Sequence, residues 1–557
     1  MKARHYRWLR YGVGSSVLAV ALGLFTGVFA SAPGGVGKFL TGFQFLPNVF
    51  AAMKGSSVAL AVVAGLLLLT LLFGRVYCAM LCPLGLWMDL VARLAGKSGN
   101  KRHLPWHPGH PYLRVLVFAA LLGSLATGSV IAMGFLDPYS FFGRMISGTL
   151  RPAFAHTSNF LAARGWVDPV IFYPDAWLTI LLGGSLLLLI SAFAIWRGRL
   201  WCNTLCPVGA VLGLVSKWSL FGIRLTPSKC VACARCEKVC PSQCIDFQNG
   251  FVDHSRCTMC LQCMTACRKS GIEFAWLPGH RGAAGRPSGR RKKPEPAPEV
   301  PATPALVPSC GPSMDRRGFT LALAALVSEK GEGHGQGRGR GEGKGHGRGG
   351  GQGKGKGGGH GCGNENLNQH NKRALMPPSA ADRARFQSLC TACQLCVARC
   401  PEQVLRPAVA ENGWKGFWQP LMDFDRAFCA YDCNICGQVC PTGALTPLPL
   451  ERKQITRAGM VHFFKGRCVV HTEGTSCGAC AEHCPTQAVH MVPYRGDLTI
   501  PEIDPDLCIG CGACEFICPV RPHKAIVVDG LEVRELAKPV PKGGTNTIRE
   551  KEEEFPF

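Results

Sequence analysis

The sequence predicts a multidomain chain in which a four-helix unit, built from duplicated helix pairs, precedes two small α+β domains rich in cysteine, with disordered linkers between them. Three observations predict it. Four apolar runs succeed one another in the first 225 residues, the 31 cysteines recur at one spacing in two regions, and two stretches are too rich in Gly, Pro and charge to bury a core. A chain of 557 residues is also too long for a single core.

The apolar runs lie at about Tyr11–Ala32, Ser57–Phe73, Val115–Leu136 and Trp177–Trp196, each near the ~20 residues that cross a bilayer. Four in succession argue against buried helices of a soluble domain. No small-residue cleavage site ends the first, which is therefore kept as a helix and not a removed signal. Lys2, Arg4, Arg7 and Arg10 precede the first run, Arg75, Arg93, Lys97, Lys101 and Arg102 follow the second, and Arg197, Arg199, Lys217, Arg224 and Lys229 follow the fourth. This bias places both ends of the unit (residues 1–225) on the cytoplasmic side of the inner membrane, with lipid as a partner.

The unit repeats itself. GRVYCAMLCPLG at 74–85 is matched by GRLWCNTLCPVG at 198–209, and each continues into an apolar stretch interrupted by charge, which suits a short helix lying in the interface. Each C-x3-C pair would share one helical face. Cys78, Cys82, Cys202 and Cys206 are thus expected to converge at the cytoplasmic membrane surface, as redox thiols, as ligands of a further centre or as purely structural residues.

The formal charge of +25 invites a nucleic-acid reading, but many basic residues fall in the linkers or flank the apolar runs, so no nucleic-acid partner is expected. Regular cysteine spacing in a long chain argues for metal ligation in a reducing compartment over a disulfide scaffold.

That spacing is C-x2-C-x2-C-x3-C-P, in which three thiolates go to one [4Fe-4S] cube and the fourth to its partner. Residues 226–275 carry Cys230, Cys233, Cys236 and Cys240, then Cys257, Cys260, Cys263 and Cys267, the last followed by Arg268 where proline is usual. They predict a bacterial-type two-cluster ferredoxin. Residues 381–535 carry four more sets. Cys390, Cys393, Cys396, Cys400 and Cys508, Cys511, Cys514, Cys518 have the standard spacing, whereas Cys429, Cys433, Cys436, Cys440 and Cys468, Cys477, Cys480, Cys484 have a lengthened first gap that suggests local insertions. The expectation is a polyferredoxin with four clusters, six in the whole chain, with sequential and nested pairing of the sets both open. Cys244, in CPSQCI, is assigned to a small core position without a ligand role. Zinc sites rarely use such overlapping arrays. The C-x3-C-x2-C of Cys429, Cys433 and Cys436 matches radical S-adenosylmethionine enzymes, yet Cys440 supplies a fourth ligand and no barrel-sized domain follows.

Between the two cysteine-rich regions, residues 276–380 read as a linker, Pro- and Arg-rich at 279–307 and Gly-rich at 331–363. His334, His346, His360 and His370 are solvated filler there, Cys310 and Cys362 are incidental, and residues 536–557 form a polar tail. Arg316 and Arg317, within 313–327, resemble a twin-arginine export signal followed by a short apolar run. The run is too short to span and is followed by basic linker, so the segment is read as vestigial and the last domain as cytoplasmic, whereas a working signal would put that domain outside.

Together these motifs resemble a known pair of families. The first 275 residues resemble the NapH/MauN-type membrane quinol dehydrogenase ferredoxins, with their four spans, paired C-x3-C-P motifs and two-cluster ferredoxin. Residues from about Met314 onward resemble the NapG/MauM-type four-cluster ferredoxins, so the chain reads as a fusion of the two. The resemblance implies electron exchange between the quinone pool (menaquinol or ubiquinol) and a redox partner or terminal reductase, and a role as quinol dehydrogenase component. No C-x2-C-H haem motif and no nucleotide fingerprint points to a terminal reaction within this chain. The rival expectation is a membrane redox factor for assembly or regulation of a respiratory metalloenzyme.

Overall fold

The computed structural model describes residues 3–29, 34–53, 55–97, 106, 109–127, 131–166, 177–226, 229–231, 233–268, 270–277 and 373–540. The linker stretches, the twin-arginine segment, the four linker histidines, Cys310, Cys362 and the end of the tail lie outside them.

The first apolar run becomes α1 (Ala3–Thr26), which starts well before the run itself. Its polar first turns are held by partners: Tyr6 donates to the Met259 carbonyl (3.2 Å) and Arg10 to that of Cys260 (3.4 Å). Two short helices come next, α2 (Gly34–Gly42) and α3 (Phe45–Ala52). The second run is α4 (Ser57–Phe73), whose N-terminus is capped by the Ser56 hydroxyl accepting from the Ala59 N–H (3.3 Å). After it come α5 (Tyr77–Met80) and α6 (Pro83–Lys97).

The third run contains α7 (Pro111–Ala126) and α8 (Ile131–Leu136). The next segment is helical although its sequence reads as a mixed-charge loop. Asp137 accepts from the Ser140 N–H (2.9 Å), Pro138 occupies the first turn, and α9 continues from Pro138 to Ala162. The fourth run is α10 (Trp177–Arg197), followed by α11 (Leu200–Thr204) and α12 (Pro207–Val215). Among the described residues, His5–Thr26 and Trp177–Arg197 are long and apolar enough to cross a membrane, and α4 and α7 are shorter apolar helices.

The repeated motifs do not lie flat at one surface. Gly74 packs near Met259 and Ser216, the chain turns inward through α5, and α6 leads back, with Leu86 against Gly14 and Arg93 over the Tyr11 ring. The second copy repeats the excursion. The Arg199 N–H donates to Pro241 O (2.9 Å) at entry, and after α12 the Ser216 hydroxyl donates to His254 O (2.9 Å). Both copies therefore run inward and back as helical hairpins packed against the first cysteine-rich domain.

The first cysteine-rich domain begins earlier than residue 226, because β1 (Phe221–Leu225) pairs antiparallel with β4 (Ile272–Trp276). The β2 (Ile245–Asp246) and β3 (Phe251–Val252) hairpin closes its other end. The C-terminal domain holds two such hairpins, β5 (Leu405–Pro407) with β6 (Pro420–Met422), and β8 (Val489–Pro493) with β9 (Thr499–Ile503). Its second half repeats the plan of the first domain, with β7 (Gly459–Phe463) and β10 (Ile526–Gly530) as the outer pair. Leu375 bridges to Met422, so this domain starts before residue 381.

The two cysteine-rich domains meet opposite ends of α1. Tyr6 and Arg10 touch the first domain, whereas Gly27 lies beside Ala398 and the Phe29 carbonyl accepts from Arg399. A helix of 24 residues measures ~36 Å. Arg144 and Arg151 on α9 complete the second contact: Arg144 donates to Thr391 O (3.0 Å), Arg151 to Val397 O (3.3 Å) and to Gln403.

Candidate iron–sulfur centres

The standard cysteine loops need backbone that most residues avoid. Ala234, Met259, Leu261, Ala392 and Gln394 adopt left-handed φ of 51–66° beside the second cysteine of their loops, where the last loop has Gly510 and Gly512. Such strain is held only where the surroundings enforce it. The lengthened loops wrap differently: Asn434 and Gly478 have φ of −133° and −127°, and the extra residues after Cys468 form a helical turn at Val469–Thr472.

The fold brings the thiols together as sets of three plus one. Cys230, Cys233, Cys236 and Cys267 line a cavity of about 210 Å³. Cys240 joins Cys257, Cys260 and Cys263 around a smaller one. In the C-terminal domain Cys400 lines a cavity with Cys429, Cys433 and Cys436, and Cys518 one with Cys468, Cys477 and Cys480. Cys440 lies in the field of Cys390, Cys393 and Cys396, and Cys484 in that of Cys508, Cys511 and Cys514. Adjacent motifs are thus paired, and the nested alternative is excluded. The two pairs meet where the Cys429 N–H donates to Cys511 O (2.9 Å).

Among the described residues no group of three or more His, Cys, Asp or Glu converges as one metal ion would require. Four of the six thiol sets line cavities instead, which fits a polynuclear cluster: three thiolates on one tight loop and a fourth from the paired motif are the donor set of a [4Fe-4S] cube. Burial pushes the Cys236 thiol up to about 11 and that of Cys393 up to about 12, so metal binding has protons to displace. Cys240 departs from this. A hydrogen bond with Cys244, Sγ to Sγ 3.5 Å, outweighs burial and lowers it to about 7. Cys244 therefore stands at the second cluster site, closer to the chemistry than its core position suggests, and its signal in the sequence was the extra cysteine itself.

Cys78, Cys82, Cys202 and Cys206 are all buried, at 4–5% exposure. The two copies brace each other reciprocally: Arg75 of the first donates to Cys202 O (3.0 Å), and Arg199 of the second to Cys78 O (2.6 Å). Gly85 and Gly209 sit where a Cβ would strike those same carbonyls, which accounts for glycine after each Cys-Pro. Arg199 also binds Asp89 through two contacts (3.0 and 2.8 Å), and Arg10 binds the same carboxylate. An Asp89→Asn substitution leaves both guanidiniums buried without a counter-charge and is expected to cost about 3–5 kcal/mol, read as a lowered thermal midpoint in detergent. An unchanged midpoint would refute the role given to this carboxylate.

A family model described as a 4Fe-4S binding domain matches residues 57–101 and 177–226, the helices and C-x3-C-P motifs of both copies. A 4Fe-4S dicluster domain model matches residues 475–521. Over 163 residues the chain is 31% identical to the methylamine utilization ferredoxin-type protein MauM of Methylorubrum extorquens, covering 28% of this chain and 72% of that protein. The chain belongs to the MauM ferredoxin-type family. It is also 29% identical to the ferredoxin-type proteins NapF (26% of this chain, 80% of that protein) and NapG (27% and 71%) of Escherichia coli. As a member of this group it is an iron–sulfur protein of the electron-transferring ferredoxin type. No solved structure matches it.

Proposed function

We propose that this protein is a membrane-bound conduit relaying electrons between the quinone pool and a redox partner through six [4Fe-4S] clusters. The observation that carries the proposal is the row of thiol sets. It runs from Cys230 and Cys257 at one end of α1, through the buried C-x3-C-P cysteines, to the Cys390 and Cys429 sets at the other end, and on to the sets of Cys508 and Cys468.

Apolar exposure supports the membrane. Val58, Leu60 and Leu68 on α4, Val115 and Leu116 on α7, and Leu181 and Leu188 on α10 all face outward, a surface too apolar for water. Trp177 and Trp196, exposed at 72% and 66%, mark the two ends of α10, ~28 Å apart by helical rise, close to the ~30 Å hydrocarbon thickness and suited to interfacial belts. With α1 spanning, the first ferredoxin domain would face the cytoplasm and the C-terminal domain the opposite side, in place of the shared cytoplasmic side expected from the sequence. An active twin-arginine segment, the alternative that the sequence leaves open, would carry the C-terminal domain there.

The fusion of a NapH/MauN-type unit to a NapG/MauM-type domain accounts for both halves of such a conduit in one chain. Anaerobically purified protein mixed with a reduced quinol analogue is expected to show bleaching of cluster absorbance and the appearance of reduced-cluster EPR signals. No reduction by any quinol, with all clusters reducible by dithionite, would remove the quinone from the proposal.

A further inference from the structure

We infer that the quinone binds in a cavity between the end of α10 and the first ferredoxin domain, with the Gln243 amide as its hydrogen-bonding anchor. The inference rests on the conduit proposed above and gives it an entry point. The cavity measures about 130 Å³, and its walls come from the end of α10 (Trp196, Arg197), from the residues before α7 (Gly109, His110) and from the first domain (Ser242, Gln243). Its shape is fixed from both sides. The Arg199 N–H donates to Pro241 O (2.9 Å) and the Asn203 amide to Ser242 O (3.3 Å), which ties the start of α11 to the loop after Cys240. The Ser242 and Thr258 hydroxyls pair at 3.3 Å and join that loop to the Cys257 set. Arg256, also on the wall, is held by Asp253 (2.7 Å) with its stem against Gly109.

Gln243 is the observation that points to a ligand. It is 7% exposed and lines the cavity, yet its amide has no hydrogen-bond partner among the described residues. Gln403, at the same place after its own Cys-Pro in the C-terminal domain, is satisfied: it donates to Cys400 O (2.8 Å) and accepts from Arg151. A buried amide left unpaired is costly, so a ligand oxygen is its expected partner. An amide donates to a quinone carbonyl and accepts from a quinol hydroxyl, and so serves both redox states. Trp196 and Leu200 supply apolar surface for a ring. Leu181, Leu188 and Ile195, all exposed and spaced two turns apart on α10, form a stripe along which an isoprenoid tail would run into the hydrocarbon. The charge of Arg256 is already met by Asp253, which favours a neutral ring over an anionic headgroup.

In the oxidising direction a bound quinol breaks two O–H bonds and gives up two electrons and two protons, leaving the quinone. Ser242 and Gln243 follow Cys240 by two and three residues, and Arg256 directly precedes Cys257, so the cavity wall is the outer side of loops that supply ligands to the second cluster site. The electrons leave one at a time through those loops, one to each of the two clusters of the first domain. The protons pass to water at the side of the cavity where His110 is exposed.

An azido-substituted ubiquinone, irradiated with the anaerobically purified full chain in detergent, is expected to label the peptides that hold Trp196 to Leu200 or Ser242 to Arg256, and excess decylubiquinol to suppress the labelling. Gln243→Leu, and Leu200→Trp, which fills the cavity from outside the cluster loops, should each raise the decylubiquinol concentration for half-maximal cluster reduction about tenfold, the scale of one lost hydrogen bond. Iron content and reduction by dithionite should not change. Labelling confined to other segments, a half-saturation unmoved in both variants, or suppression by anionic phospholipid and not by decylubiquinol would each overturn the inference, the last by making the cavity a headgroup site. Should neither variant accumulate, labelling of the wild type decides alone. A wild type reduced by quinol but labelled elsewhere leaves the conduit standing without this site, whereas one reduced by dithionite and by no quinol removes the quinone link itself.

Discussion

A Cys440→Ser chain is expected to lose the cluster of Cys390, Cys393 and Cys396, not the one built on its own loop. Cys440 leaves its motif to complete the preceding set, while Cys400 crosses over to Cys429, Cys433 and Cys436. Losing that cube should remove about four iron atoms per chain and, because the site abuts the helical unit through Gly143 and Arg144, interrupt electron flow into the C-terminal domain. Quinol should still reduce the two clusters of the first domain while the remaining three C-terminal clusters stay oxidised. Cys484→Ser supplies the contrast: it should cost a cluster of equal size from the Cys508 set and leave the first two C-terminal clusters reducible. EPR of each variant, reduced first by quinol and then by dithionite, separates these outcomes. If Cys440→Ser instead perturbed the signals of the Cys468 set, the sequential pairing would be wrong.

The second large effect concerns sidedness. In spheroplasts, protease added outside is expected to remove a tag placed after Phe557 and to spare one placed before Met1. Replacing Arg316 and Arg317 with lysine should trap the C-terminal domain inside. Energetics make this more than a change of address. Arg144 donates to the carbonyls of Thr391 and Gly134, and Ser140 to the Thr391 hydroxyl (2.8 Å), all buried, and Arg144 also to the half-buried Phe135 carbonyl. With the C-terminal domain on the wrong side, Arg144 and Arg151 lose their partners in that domain, at about 3–5 kcal/mol for a buried charge stripped of its partner. The trapped variant should therefore be unstable and poorly accumulated. Equal protection of both tags in cells with intact inner membranes would contradict the two-sided arrangement.

Much of the candidate chemistry is legible in the sequence, because cluster loops impose spacing on the chain itself. The six four-cysteine sets and the duplicated GR-x2-C-x3-C-P-x-G units are local patterns, and the family comparisons bear out the 4Fe-4S character of the chain. Helix existence follows from apolar runs, but helix limits do not. The start of α1 depends on Tyr6 and Arg10 finding carbonyls more than two hundred residues away, and α9 is hidden because its arginines are buried against another domain instead of solvated. A one-dimensional pattern shows charge without showing its partner.

By itself the sequence determined which residues are fit to hold iron and sulfur, since a short loop around a cube only a few ångströms wide leaves its thiolates little choice of spacing. Which loop completes which cube, how deep the paired motifs reach, and which end of α1 each domain meets were decided by tertiary structure alone. Those depend on contacts such as Arg199 with Cys78 and Arg399 with Phe29, whose members are distant along the chain and come together only when helices pack.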